Sequence, residues 1–168
     1  MTLTRLRGLE PVLDCRACTI ILGSFPGVAS LQAGHYYAHP RNQFWPILAV
    51  VLDAPLTSMP FEERYVCLKR YRVALWDVLA TCRRTGSLDS AIRDPLANDL
   101  QALNERAPAL ERVLFNGRTA ARSEPWFRAR GLQTSVLPST SPAYASVSFE
   151  KKLEVWRQAL SNHRRGTG

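Results

Sequence analysis

The chain has 168 residues, of which 46% are hydrophobic and 21% charged, with a net charge of +8. That length suits a single domain spanning residues 1–168 with one sizeable core, and the balance of apolar and charged residues excludes a disordered chain. No run approaches the roughly 20 apolar residues of a membrane helix. The N-terminal MTLTRLRGLEPVLD carries basic residues but not the apolar segment of a signal peptide, so no membrane partner and a cytoplasmic location are expected.

Taken in chain order, Thr19–Gly23 (TIILG) is a short apolar run ending in glycine, the pattern of a buried strand. Gly23 to Trp45 follows, a stretch dense in glycine, proline and rings. Phe44–Leu52 then has helical spacing, with Trp45, Leu48 and Leu52 on one face. Phe61–Tyr71 reads as a second helix and Val73–Val78 (VALWDV) as a second strand. Asp94-Pro95 has the form of a helix start, an N-cap acid followed by proline in the first turn, with Leu96, Leu100 and Leu103 as its inward stripe. Arg112–Asn116 (RVLFN) is a third strand, a helical stretch runs to Arg130 with Gly131 as its stop, and Leu132–Leu137 is a fourth strand. A last amphipathic helix starts near Ser148, and the HRRGTG tail, from about residue 163, is expected to fray. Four mostly parallel strands with helices on both faces make an α/β layer fold. In such folds ligands bind at the carboxyl ends of the strands. The loops there are Ser24–Gln43, Leu79–Arg93, Asn116–Gly117 and Pro138–Val147.

Nineteen of the 22 basic residues are Arg, the other three being Lys69, Lys151 and Lys152. Arg forks match phosphate oxygens and stack on bases, which suits a nucleic-acid partner; a coding bias toward Arg gives the same composition. Cys15-x-x-Cys18 is half of a zinc motif whose second half is absent, so reduced structural thiols are expected. His35 and His39 lack a companion carboxylate or thiol, and no metal or other cofactor is expected.

Gly23-Ser-Phe-Pro-Gly27 permits a sharp turn and close approach to a ligand, as many glycine turns do without binding anything. Leu137-Pro-Ser-Thr-Ser-Pro-Ala-Tyr144 sets three hydroxyls between two prolines, suited either to phosphate oxygens or to a rigid turn. Asp77 lies inside an apolar strand, where a carboxylate is costly unless paired or used.

These stretches together resemble the uracil-DNA glycosylase superfamily, and most of all its hypoxanthine-DNA (deoxyinosine) glycosylase branch. The resemblance rests on GSFPGVASL, YYAHPRNQFWPIL, LWDVLATCRRTGSLDSAI, FNG and LPSTSPAYA, in that order, and covers most of Ile20–Trp156. It implies a three-layer α/β/α sandwich and metal-free hydrolysis of the N-glycosidic bond of a deaminated base in duplex or single-stranded DNA, flipped into a pocket. By this likeness Gly23–Gly27 is the water-activating loop and Ser139–Ala145 the intercalation loop. Two departures stand out: Phe25 replaces the acid or amide of other branches, and Ser139 replaces their His or Asn. Asn42 is then the best polar candidate, its carbonyl able to hold a water; it could instead cap the Phe44–Leu52 helix. Backbone N–H groups around Ser24 and the Ser139 hydroxyl could stabilise charge on the departing base. Asp77 corresponds to the superfamily's base-reading residue, and Phe25 or Phe44 is expected to stack on the base. Ser30, Arg41, Ser141, Pro142, Ala143 and Tyr144 are expected to meet DNA, with Arg83 and Arg84 as further candidates. No lysine lies in these loops, so a Schiff-base lyase step is not expected and the enzyme is read as monofunctional; a monomer is expected. A uracil-preferring glycosylase and a silent DNA-binding module are the alternatives.

Overall fold

The computed structural model describes residues 2–161, so the expected frayed tail lies outside it. The chain runs β1 (Arg5–Arg7), β2 (Thr19–Gly23), α1 (Val28–Ala33), α2 (Phe44–Val51), α3 (Phe61–Arg70), β3 (Val73–Asp77), β4 (Leu79–Arg83), β5 (Arg93–Ala97), α4 (Ala102–Arg106), β6 (Arg112–Asn116), α5 (Glu124–Arg128), β7 (Gln133–Leu137) and α6 (Phe149–Ser161).

The central sheet has the order β3-β2-β6-β7, and every pairing in it is parallel. Parallel strands need both faces covered, which is why β2 and β3 are buried along their whole length. Side chains alternate between two cores. Ile21, Leu75 and Leu114 point to one face, against Trp45 and Leu48 of α2, Leu68 of α3 and Trp156 of α6. Ile20, Leu22, Val113 and Phe115 point to the other, against Leu103 of α4 and Phe127 of α5. The result is the three-layer α/β/α sandwich.

A second sheet was not foreseen. β1, β4 and β5 pair antiparallel in the order β1-β4-β5, so the segment 79–93 read as one loop is in good part strand. The chain passes from β3 into β4 with a single intervening residue, and Val78 and Leu79 donate their N–H groups to Gly23 O and Ser24 O. The second sheet thus starts at the rim of the first.

Asp94-Pro95 does not start a helix. Both residues lie in β5, Asp94 has φ 48°, and Leu96 is 57% exposed rather than turned inward. β5 is an edge strand, where a proline's missing N–H breaks no ladder. The Asp94 carboxylate pairs with Arg83 at 3.4 Å, and its carbonyl accepts from Arg5. The helix begins later, at Ala102, and keeps only Leu103 of the proposed stripe among its own residues.

Phe115 lies fully buried on β6, edge-on to Phe127 at 5.8 Å. Phe115→Ala is expected to lower the unfolding free energy in urea by about 3–5 kcal/mol. A loss below about 1 kcal/mol would show that this core does not hold α5 to the sheet.

Candidate functional site at the strand ends

The carboxyl ends of all four central strands open into one cleft of about 740 Å³. Gly23, Asp77, Asn116 and Leu137, the last residues of β2, β3, β6 and β7, all line it.

Asp77 sits at its floor, paired in register with Gly23 and only 4% exposed. A Cβ on Gly23 would stand 2.5 Å from Asp77 Oδ1 and 3.1 Å from the Tyr37 hydroxyl. Glycine is therefore required by a close approach across the strands. Asp77 Oδ2 is buried without a hydrogen-bond partner. Burial, reinforced by the negative Asp89 and opposed by Arg84, pushes its carboxyl up to about 7.

Tyr37 was missed among the four rings of its stretch. Its ring stacks on Phe44, with centroids 4.0 Å apart and planes 21° apart, and its backbone holds φ 54°. Left-handed backbone at a bulky residue is strained and persists where neighbours enforce it. The hydroxyl is buried beside Asp77 and Asn116, and burial and the nearby Asp77 hold it neutral. Phe44, expected to stack on a base, is 0% exposed and lies behind Tyr37, outside the cleft wall. This corrects the sequence reading: at that point the wall presents Tyr37.

Asn42 lines the cleft, half-buried, and its Oδ1 accepts the Phe44 N–H at 2.9 Å, so the capping contact exists. Phe25 also lines the cleft but is largely covered, the Arg84 guanidinium lying 5.2 Å from its ring centroid. Ser24 donates its hydroxyl to Asp89 Oδ1 at 2.7 Å. Ser139 lines the opposite wall, its Oγ accepting the Ser141 N–H at 3.2 Å. That bond uses a lone pair and leaves the Ser139 hydroxyl hydrogen available. Asn116, seen in the sequence only as a strand end, clasps Thr140 twice, donating to its Oγ1 at 2.9 Å and accepting its N–H at 3.0 Å.

The expected DNA contacts divide. Ser141, Pro142, Ala143 and Tyr144 form one lip, with Tyr144 37% exposed. Arg41 is exposed outside the cleft wall. Ser30 is buried, and its hydroxyl accepts the Ala38 N–H at 3.1 Å, which orders the loop. Arg84 is buried, donating to Gly86 O and Pro26 O, and so clamps the GSFPG turn instead of facing solvent. Arg83 donates to Leu3 O and pairs with Asp94. Neither serves as an open phosphate contact, because both guanidiniums are taken up by backbone carbonyls and, for Arg83, by Asp94. His39 accepts the Arg41 N–H, while His35 stacks on Phe61. Among the described residues no group of three or more His, Cys, Asp or Glu could hold a metal ion, and no helix is long and apolar enough to cross a membrane.

Comparison with known proteins gives a consistent result. Residues 11–162 match the family model of the uracil DNA glycosylase superfamily. A hypoxanthine DNA glycosylase of Methanosarcina barkeri is 37% identical over 154 residues, covering 92% of this chain and 97% of the relative. A hypoxanthine DNA glycosylase of Methanosarcina acetivorans is 39% identical over 157 residues, covering 94% and 98%. The solution NMR structure of a Methanosarcina acetivorans protein, provisionally described as a uracil DNA glycosylase, superposes with a TM-score of 0.87 at 36% identity, covering 96% of this chain and 99% of that one.

The raised Asp77 carboxyl has a stability consequence. Between the ordinary value of 3.8 and about 7 the folded protein holds a proton that the unfolded chain has released, so stability falls as pH rises across that window and levels off above it. Asp77→Asn is expected to remove this slope, so that the difference in urea midpoint between mutant and wild type grows from pH 4 to pH 7. Parallel curves would contradict it.

Proposed function

The chain belongs to the uracil DNA glycosylase superfamily, and from that premise we propose that it removes hypoxanthine, and more slowly uracil or xanthine, from DNA in base-excision repair. The reading includes one domain, a monomer acting on duplex or single-stranded DNA, and hydrolysis without a lyase step. Lys69, Lys151 and Lys152 are all absent from the residues lining the cleft, which supports the last point. The observation that carries the reading is Asp77, a buried carboxylate with an unpaired oxygen at the floor of a cleft large enough for a flipped base.

When ionised, Asp77 accepts a hydrogen bond and donates none. Hypoxanthine offers N1–H and uracil N3–H; adenine N1 and cytosine N3 are acceptors and are repelled. With its carboxyl near 7, Asp77 gains this selectivity as pH rises and loses it when protonated, since a carboxylic acid can donate to adenine N1.

Asn42 holds the attacking water. Its carbonyl has two lone pairs, so one can accept the Phe44 N–H while the other faces the cleft. The cap therefore aims the amide and does not compete with the water. An amide is a weak base, which fits a dissociative path: the bond to the base breaks first, and water traps the sugar cation at C1′. Negative charge on the departing base is stabilised by the Ser139 hydroxyl and by backbone N–H groups of the Ser24 turn. Phe25, or the Tyr37 ring in place of Phe44, offers the stacking face. Ser141 to Tyr144 press on the DNA from the lip.

Duplexes carrying one hypoxanthine, uracil or xanthine, treated with alkali after incubation, test the activity: scission should be fastest at hypoxanthine. Retained binding with no scission on any duplex would leave a silent DNA-binding module. For hypoxanthine, kcat/KM is expected to rise with pH through about 7, and Asp77→Asn should abolish that step and blur discrimination against adenine. Unchanged selectivity in the mutant would remove Asp77 from base reading. Asn42→Ser preserves a capping oxygen but shortens its reach. It should keep the thermal midpoint and lower the cleavage rate by about 100-fold or more. Near-normal cleavage would reduce Asn42 to a cap.

A further inference from the structure

Helix α6 holds the lip of the cleft from behind. Lys152 and Trp156 stand one helical turn apart on its buried face, so their side chains project together. Trp156 Nε1 donates to Pro138 O at 3.0 Å, and Lys152 Nζ donates to Tyr144 O at 2.6 Å. The two donors thus grip the beginning and the end of the same loop. Lys152 Nζ also donates to Gln43 Oε1 at 3.0 Å, beside the Asn42 cap, and lies 5.2 Å from the Tyr144 ring centroid. Gln43 N–H in turn donates to Thr140 O at 3.0 Å.

Lys152 is 1% exposed, and it takes part in none of the ion pairs among the described residues. Its oxygen acceptors are neutral. Burying an ammonium against neutral carbonyls is unfavourable relative to a packed apolar side chain. Packing of α6 does not require it, since Leu153, Trp156 and Leu160 already serve the core. What the ammonium supplies is a branched donor, able to fix two separate chain segments at one point.

We propose that Lys152 is a positioning residue for duplex DNA: by tying Tyr144 and Gln43 to α6 it keeps the Pro142–Tyr144 lip rigid enough to fill the gap left by a flipped nucleotide. The inference rests on the glycosylase reading above. A loose lip would have to be ordered on binding, and that ordering weakens association. A single strand has no stack to hold open, so its binding does not depend on the lip.

The test compares binding of duplex and single-stranded oligonucleotides that carry a non-hydrolysable 2′-fluoro analogue of deoxyinosine. Lys152→Met, which keeps the stem, should weaken duplex binding by about tenfold or more and single-strand binding by less than about threefold. Equal weakening on both substrates, as a general loss of stability would cause, or unchanged duplex binding, overturns the proposal. Gln43→Met removes the other acceptor at a half-buried position, and should give the same duplex-selective weakening if Lys152→Met does not fold; equal or absent effects there overturn the proposal likewise. Cleavage of the hypoxanthine duplex by the wild-type protein tests the glycosylase reading separately, so a failure of one is not mistaken for a failure of the other.

Discussion

Gly23 and Asp77 face each other across two parallel strands with no room between them for a methyl group. That contact fixes much of the site. It lets the carboxylate sink to the floor of the cleft, where burial raises its proton affinity and leaves Oδ2 without a partner. It also admits the Tyr37 hydroxyl to the same spot. A larger residue at position 23 would displace the Asp77 carboxylate. The glycine is thus demanded by a side chain opposite, and not by an unusual backbone angle of its own.

The walls around that floor are tied together by side chains that bond to one another and to the backbone. Arg84 reaches from just past the end of β4 to the Pro26 carbonyl of the GSFPG turn and covers Phe25. Asn98 holds the chain as it leaves β3, donating to Asp77 O at 2.7 Å. Asn116 clasps Thr140, while Trp156 and Lys152 secure the two ends of the serine-proline loop. Such a frame suits chemistry that depends on fixed dipoles and a held water more than on a strong base. The turn around position 25 keeps its shape without an acid or amide there, and the polar Asn42 lines the same cleft.

β2, β3 and β6 were legible as short apolar runs with a clear end, and β7, polar from Gln133 to Ser135, as the stretch that follows the Gly131 stop; their carboxyl ends then pointed to the site loops. The second sheet was not legible. β5 is exposed along its length and carries Asp94-Pro95, whose acid-then-proline order suits a helix start and an edge strand equally. Asn42 and Asp77 stood out as polar residues in apolar or ring-rich settings. Tyr37 did not, since one ring among four gives no sign of which will face a cavity. Arg84 and Lys152 were hidden for another reason. A cation in a sequence reads as solvated, and only the fold shows that these two are buried and spent on backbone carbonyls. The distinction matters for a chain with a charge of +8, because its arginines cannot be assumed to form a DNA-facing surface.

The site depends on a carboxyl group at the floor of the cleft, held near 7 by burial. A carbon-13 NMR titration of the Asp77 carboxyl, assigned by comparison with Asp77→Asn, measures it directly. The expected midpoint is about 7, well above the ordinary 3.8. A midpoint near 3.8 would mean that water or a partner reaches Oδ2, and that burial does not govern the Asp77 carboxyl.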